Sequence, residues 1–106
     1  MSDKADPWER LSEELLASDP AITRSTMMGL PCLRLDGAFF ASLDKRSGEL
    51  LVKLPADEVS ARVDRGEGRA FAPAGRVFRE WLAIDPDSEE EWRNAMAAAL
   101  DFAATR

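Results

Sequence analysis

Between residues 23 and 54 the chain has room only for short extended segments joined by short turns, and this fixes much of what it can become. The segments 23–28, 32–35, 38–43 and 49–54 are rich in β-branched, aromatic and aliphatic residues. They are separated by Gly29-Leu30-Pro31, Asp36-Gly37 and the polar run 44–48. A parallel pair needs a crossover of a dozen or more residues, so strands this close in sequence pair antiparallel. Asp36-Gly37 is a strong two-residue hairpin signal, because Asp and Gly tolerate the positive φ of such turns. Phe39 and Phe40 then face opposite sides of the sheet.

Helical spacing frames this block. A helix is expected over 7–18, with Asp6 as cap, Pro7 at the first helical position and Glu9 completing a capping pattern. Trp8, Leu11, Leu15 and Leu16 form its apolar stripe. Pro20 stops it, since the residue before a proline avoids the helical region. A short helix over 55–65 turns Val59 and Val63 inward, pairs Glu58 with Arg62 and ends at Gly66. A brief extended piece at 69–72 precedes a fifth strand over 78–84. That strand places Phe78, Leu82 and Ile84 on one face, and Trp81 with Arg79 and Ala83 on the other, outer side. Ser88 and Glu91 form a capping box for a last helix with the stripe Trp92, Met96, Ala99, Leu100 and Ala103.

The expected fold is α+β: a two-layer sandwich with an antiparallel sheet of about five strands and helices on one face, ordered α-β-β-β-β-α-β-α. The 106 residues suit a single domain, with 1–5 as a flexible tail. A hydrophobic share of 45% and a charged share of 32% are globular values.

Composition excludes several chemistries. The chain has no histidine, which removes the usual general base near neutral pH and every Ser-His-Asp or Cys-His arrangement. Its single cysteine, Cys32, cannot form an intrachain disulfide, makes a zinc site unfavourable and reads as a small buried residue. Gly66-Glu67-Gly68 and Gly75 follow a helix and lead to a strand, the reverse of a phosphate loop. Glu89, Glu90 and Glu91, with Asp85 and Asp87 before them, suit the positive end of a helix dipole. No catalytic, metal or cofactor residues are assigned, and no cofactor is expected.

The net charge of −6 opposes broad binding to nucleic acid or anionic membranes. The acidic excess lies in the two ends, and the centre is slightly basic. Arg62, Arg65, Arg69, Arg76 and Arg79 form the one candidate basic cluster. The N-terminus lacks a signal-peptide pattern and no apolar run is long enough to span a bilayer. With a lone thiol, the expectation is a cytoplasmic protein.

The run Thr26-Met27-Met28-Gly29-Leu30-Pro31-Cys32-Leu33-Arg34-Leu35-Asp36-Gly37-Ala38-Phe39-Phe40-Ala41 resembles the Met-Phe-Gly…Asp-Gly…Phe-Ala signature of the TfoX (Sxy) N-terminal-domain family. Leu51-Val52-Lys53-Leu54 is similar to that family's next strand, which ends in a lysine. A short helix, a loop with Phe71, a strand and a C-terminal helix follow in the family's order, so the likeness covers about residues 8–104. It implies an antiparallel α/β sandwich and a link to competence regulators, in which this domain precedes a second one. The chain ends after the last helix, and the expectation is a single-domain member. The family implies no catalytic residues.

Three functional expectations follow. The first is a non-enzymatic interaction domain, a regulatory protein-contact module able to form a homodimer or meet an unidentified protein partner. The second is a small anionic ligand held by Lys53, Arg76 and Arg79 beside Trp81 and Met28. The third is nucleic-acid binding through the arginines of 62–79. An enzyme using carboxylates alone is a distant fourth.

Overall fold

The computed structural model describes residues 7–86 and 89–105. Three helices, α1 (Pro7–Ser18), α2 (Ala56–Asp64) and α3 (Glu89–Ala104), accompany six strands. These are β1 (Ile22–Met27), β2 (Leu30–Leu35), β3 (Ala38–Leu43), β4 (Leu50–Lys53), β5 (Arg69–Phe71) and β6 (Phe78–Ile84). A 3-10 turn, Pro73–Gly75, joins the last two strands. The brief extended piece is thus a sixth strand, and the order is α-β-β-β-β-α-β-β-α. Asp6, the tail 1–5, Asp87 and the Ser88 half of the capping box lie outside the described residues.

Every strand pair is antiparallel, in the order β1-β2-β3-β4-β6-β5. Two hairpins use two-residue turns with both φ positive: Asp36 (φ 50°) with Gly37 (φ 88°), and Met28 (φ 52°) with Gly29 (φ 79°). Both fit the turn whose twist matches that of the strands. The first was expected; the second moves Met28 out of strand β1 and brings Leu30 and Pro31 into β2. Pro31 is tolerated there because the ladder to β3 already ends at Cys32↔Ser42. The Ser42 hydroxyl instead donates to the Pro31 carbonyl at 2.8 Å.

Helix α2 ends as its sequence requires. Gly66 (φ 78°) donates to the Val63 carbonyl and Glu67 to the Arg62 carbonyl, the double bond of a glycine-terminated helix.

All three helices bury their stripes on one sheet face. Trp8 and Leu11 of α1, Val59 of α2 and Trp92, Ala95, Met96, Ala99 and Ala103 of α3 meet Leu33, Phe40, Leu50, Val52, Leu82 and Ile84. The Trp92 indole N–H donates to the Asp85 carbonyl at 2.6 Å, fixing the entry to α3. Exposed ion pairs Arg10–Glu89 and Arg93–Glu14 tie α1 to α3.

The opposite face carries no helix, yet it is not open. Leu51, Phe71, Trp81 and Ala83 form a second buried cluster, with Met27, Leu30 and Phe39 of β1, β2 and β3 and Phe78 of β6 packed against it. No described helix is long and apolar enough to cross a membrane.

Candidate functional site

Strand β6 is irregular where it passes β5. The pairs Ala70↔Leu82 and Phe71↔Phe78 are consecutive on β5, which leaves Arg79, Glu80 and Trp81 of β6 without a counterpart there. On its other side β6 stays in register with β4, where Trp81 pairs with Lys53. A bulge of this kind shifts which face each residue occupies. It reverses the expected placement of Phe78, which packs with the Trp81 cluster rather than with Leu82 and Ile84. Its ring lies 5.7 Å from that of Phe71. Arg79 is likewise separated from Trp81 and turned toward α2.

Between α2 and the β5–β6 hairpin the bulge opens a groove of about 470 Å³. Val59 and Val63 of α2 with Ala70 and Phe78 of the strands line its apolar floor, and Val77 stands at its edge. Its α2 side carries Asp57 and Asp64, and its strand side carries Arg79. Val77 is 57% exposed, and with Met28 at 65% it is one of the two large apolar side chains standing in solvent among the described residues. Arg76 folds back over the Phe78 ring, 5.9 Å from its centre.

The five residues expected to form a ligand or partner surface are not gathered into one concavity. Trp81 is on the side away from the helices, as expected, but only 8% exposed. It is a core residue of the second cluster. Lys53 pairs with it across the ladder and points its ammonium toward Glu80 at 3.9 Å. Lys53 also lines a smaller cleft against Ala99 and Phe102 of α3, separate from the groove that holds Arg79. Met28 stands at the β1–β2 turn. The residue that sequence reasoning missed is Val77. Its only signal was an apolar residue in a glycine- and arginine-rich loop.

The arginine cluster also dissolves. Arg62 binds Glu58 (2.9 Å), Arg65 binds Glu67 (2.9 Å) and Arg69 binds the buried Glu49. The hydrogen bond from Arg65 lowers the Glu67 carboxyl below its usual range. Only Arg76 and Arg79 of the five lack a carboxylate within salt-bridge distance among the described residues.

Cys32 is 1% exposed. Burial pushes its thiol above the ordinary value, against the opposing pull of the Arg34 charge and the Ser25 hydroxyl. A thiol held protonated is a poor nucleophile. No three Cys, Asp or Glu side chains converge to hold a metal ion among the described residues.

The fold and groove define a two-layer α+β domain with an amphipathic cleft beside a bulged strand. No family model, no curated protein and no solved structure matches the chain.

Proposed function

We propose that the chain is a non-enzymatic interaction domain, of the kind its likeness to the TfoX N-terminal domain suggests, acting through protein contacts at the α2–β6 groove. The observation that carries this reading is the apolar floor of that groove with Val77 projecting from its edge. Solvent-exposed apolar side chains beside a concave apolar strip favour a partner that covers both. Charge accounting supports a protein partner over nucleic acid, because carboxylates neutralise three of the five candidate arginines. A small anion gains no support from the geometry, since Lys53 and Arg79 lie in separate clefts.

The test is site-specific photocrosslinking in living cells. A photoreactive residue at Val77 is expected to give a protein adduct that the same residue at Arg46, on the exposed β3–β4 turn, does not give. Equal labelling at both positions, or no protein adduct at Val77, would discard the reading.

A further inference from the structure

We infer that the partner in the α2–β6 groove is a second copy of this chain, placed by a two-fold axis; this rests on the interaction-domain reading. The groove's charges restrict what can lie in it. Asp57 and Asp64 line one side and Arg79 the other, with the valines between. A uniformly acidic segment would meet the two aspartates, and a uniformly basic one would meet Arg79. The occupant must offer an apolar ridge flanked by both signs. The chain carries such a ridge itself: Val77 projects beside Arg76 and Arg79, across the groove from Asp57 and Asp64.

A two-fold contact turns the acidic side of one copy toward the basic side of the other, and Val77 of each toward the other's floor. Such an isologous interface needs only self-complementarity of one patch. The monomer's own pairing points the same way. Arg10, Arg24, Arg62, Arg65, Arg69 and Arg93 all reach carboxylates within the chain. Asp57, Asp64 and Arg79 line one groove, yet none has an ion-pair partner among the described residues. A mate's Arg79 can meet one of these aspartates, and a mate's aspartate can meet Arg79.

One groove of this size makes a contact below the standard interface area, so the dimer is expected to be weak and reversible. Sedimentation velocity should show it forming with a Kd of roughly 10–300 μM. Val77→Asp and Arg79→Asp should each raise that Kd at least about tenfold while leaving the urea midpoint of the monomer unchanged. The charge-swapped triple variant Arg79→Asp, Asp57→Arg, Asp64→Arg should recover dimerisation to within about threefold of wild type, which a merely damaged fold would not do. A chain that stays monomeric at about 1 mM overturns the inference. So does a dimer indifferent to all three variants. In either case a Val77 adduct to a different protein in cells would leave the interaction-domain reading standing, and the absence of any adduct would remove both.

Discussion

Replacing Trp81 with alanine separates the two roles open to this side chain. As a recognition surface, its loss would weaken binding and spare the fold. As a core residue, 8% exposed against Leu51, Phe71 and Ala83, it must cost stability. A buried tryptophan removes about 150–250 Å² from water. At about 25 cal/mol per Å² that is worth about 4–6 kcal/mol. Compactness of the denatured chain trims the figure by roughly 10–40%, giving about 3–5 kcal/mol, the range seen for aromatic-to-alanine changes in cores. With a urea slope of about 1.5 kcal/mol/M for a domain of this size, the midpoint falls by about 2–3 M. Domain stabilities run from about 5 to 15 kcal/mol, so at the low end of that range Trp81→Ala stands close to unfolding in the absence of denaturant. Trp81→Phe, which keeps a ring in the cluster, provides a measurable companion with a smaller loss. Urea titration followed by circular dichroism is the assay. A midpoint shift under about 0.5 M for Trp81→Ala would refute the argument and return Trp81 to the surface.

Other consequences can be checked on the same material. Ser12 is fully buried on α1, and its hydroxyl has no hydrogen-bond partner among the described residues; Ser12→Ala should therefore stabilise by about 1 kcal/mol and raise Tm by roughly 4–8 °C in calorimetry. A fall in Tm would mean that the hydroxyl is satisfied. Glu89 is held below its usual 4.5, chiefly by the hydrogen bond from Arg10. A depressed folded value gives stability that is complete above the unfolded value and fades as pH falls through the folded one. Glu89→Gln should thus lower Tm slightly at neutral pH and match wild type at about pH 2, well below the carboxylate range; a difference that persists there would assign the effect to packing. Cys32, buried and held protonated, should react with a thiol reagent at neutral pH only as fast as the domain opens. Immediate labelling of the native protein would place the thiol within reach of solvent.

Where local chemistry decides local structure, the sequence was sufficient. Asp36-Gly37 makes its turn and Gly66 ends its helix because each supplies the positive φ that its position demands. Met28 takes the same conformation without that chemistry. A left-handed residue with a Cβ is uncommon, so the chain from 23 to 28 reads as unbroken strand. Pro31 misleads in the same region, because its harmlessness depends on where β3 stops pairing. The face of Phe78 and Arg79 was misplaced for a different reason. Counting alternate residues assumes an unbroken register, and the β5–β6 bulge breaks it. Nor does any local period announce that Met27, Leu30 and Phe39 pack against the cluster that holds Trp81, since they lie some forty or more residues before it in the chain.

The arginines show what separates a candidate surface from a used one. In sequence, Arg62, Arg65, Arg69, Arg76 and Arg79 are equivalent members of a basic stretch. Two of their partners are legible there, because Glu58 lies one helical turn from Arg62 and Glu67 two residues from Arg65. The third is not: Arg69 reaches Glu49, twenty residues away, only because β5 is brought beside the start of β4 through β6. Folding thus neutralises the first part of the stretch and leaves Arg79, on the bulged strand, across the groove from two aspartates with which it forms no ion pair. An exposed charge is ordinary and needs no explanation. Unmatched charges of both signs facing each other across an apolar groove are a narrower condition, met here by Asp57, Asp64 and Arg79, and it is this arrangement rather than the density of arginines that marks the α2–β6 groove as the surface to test.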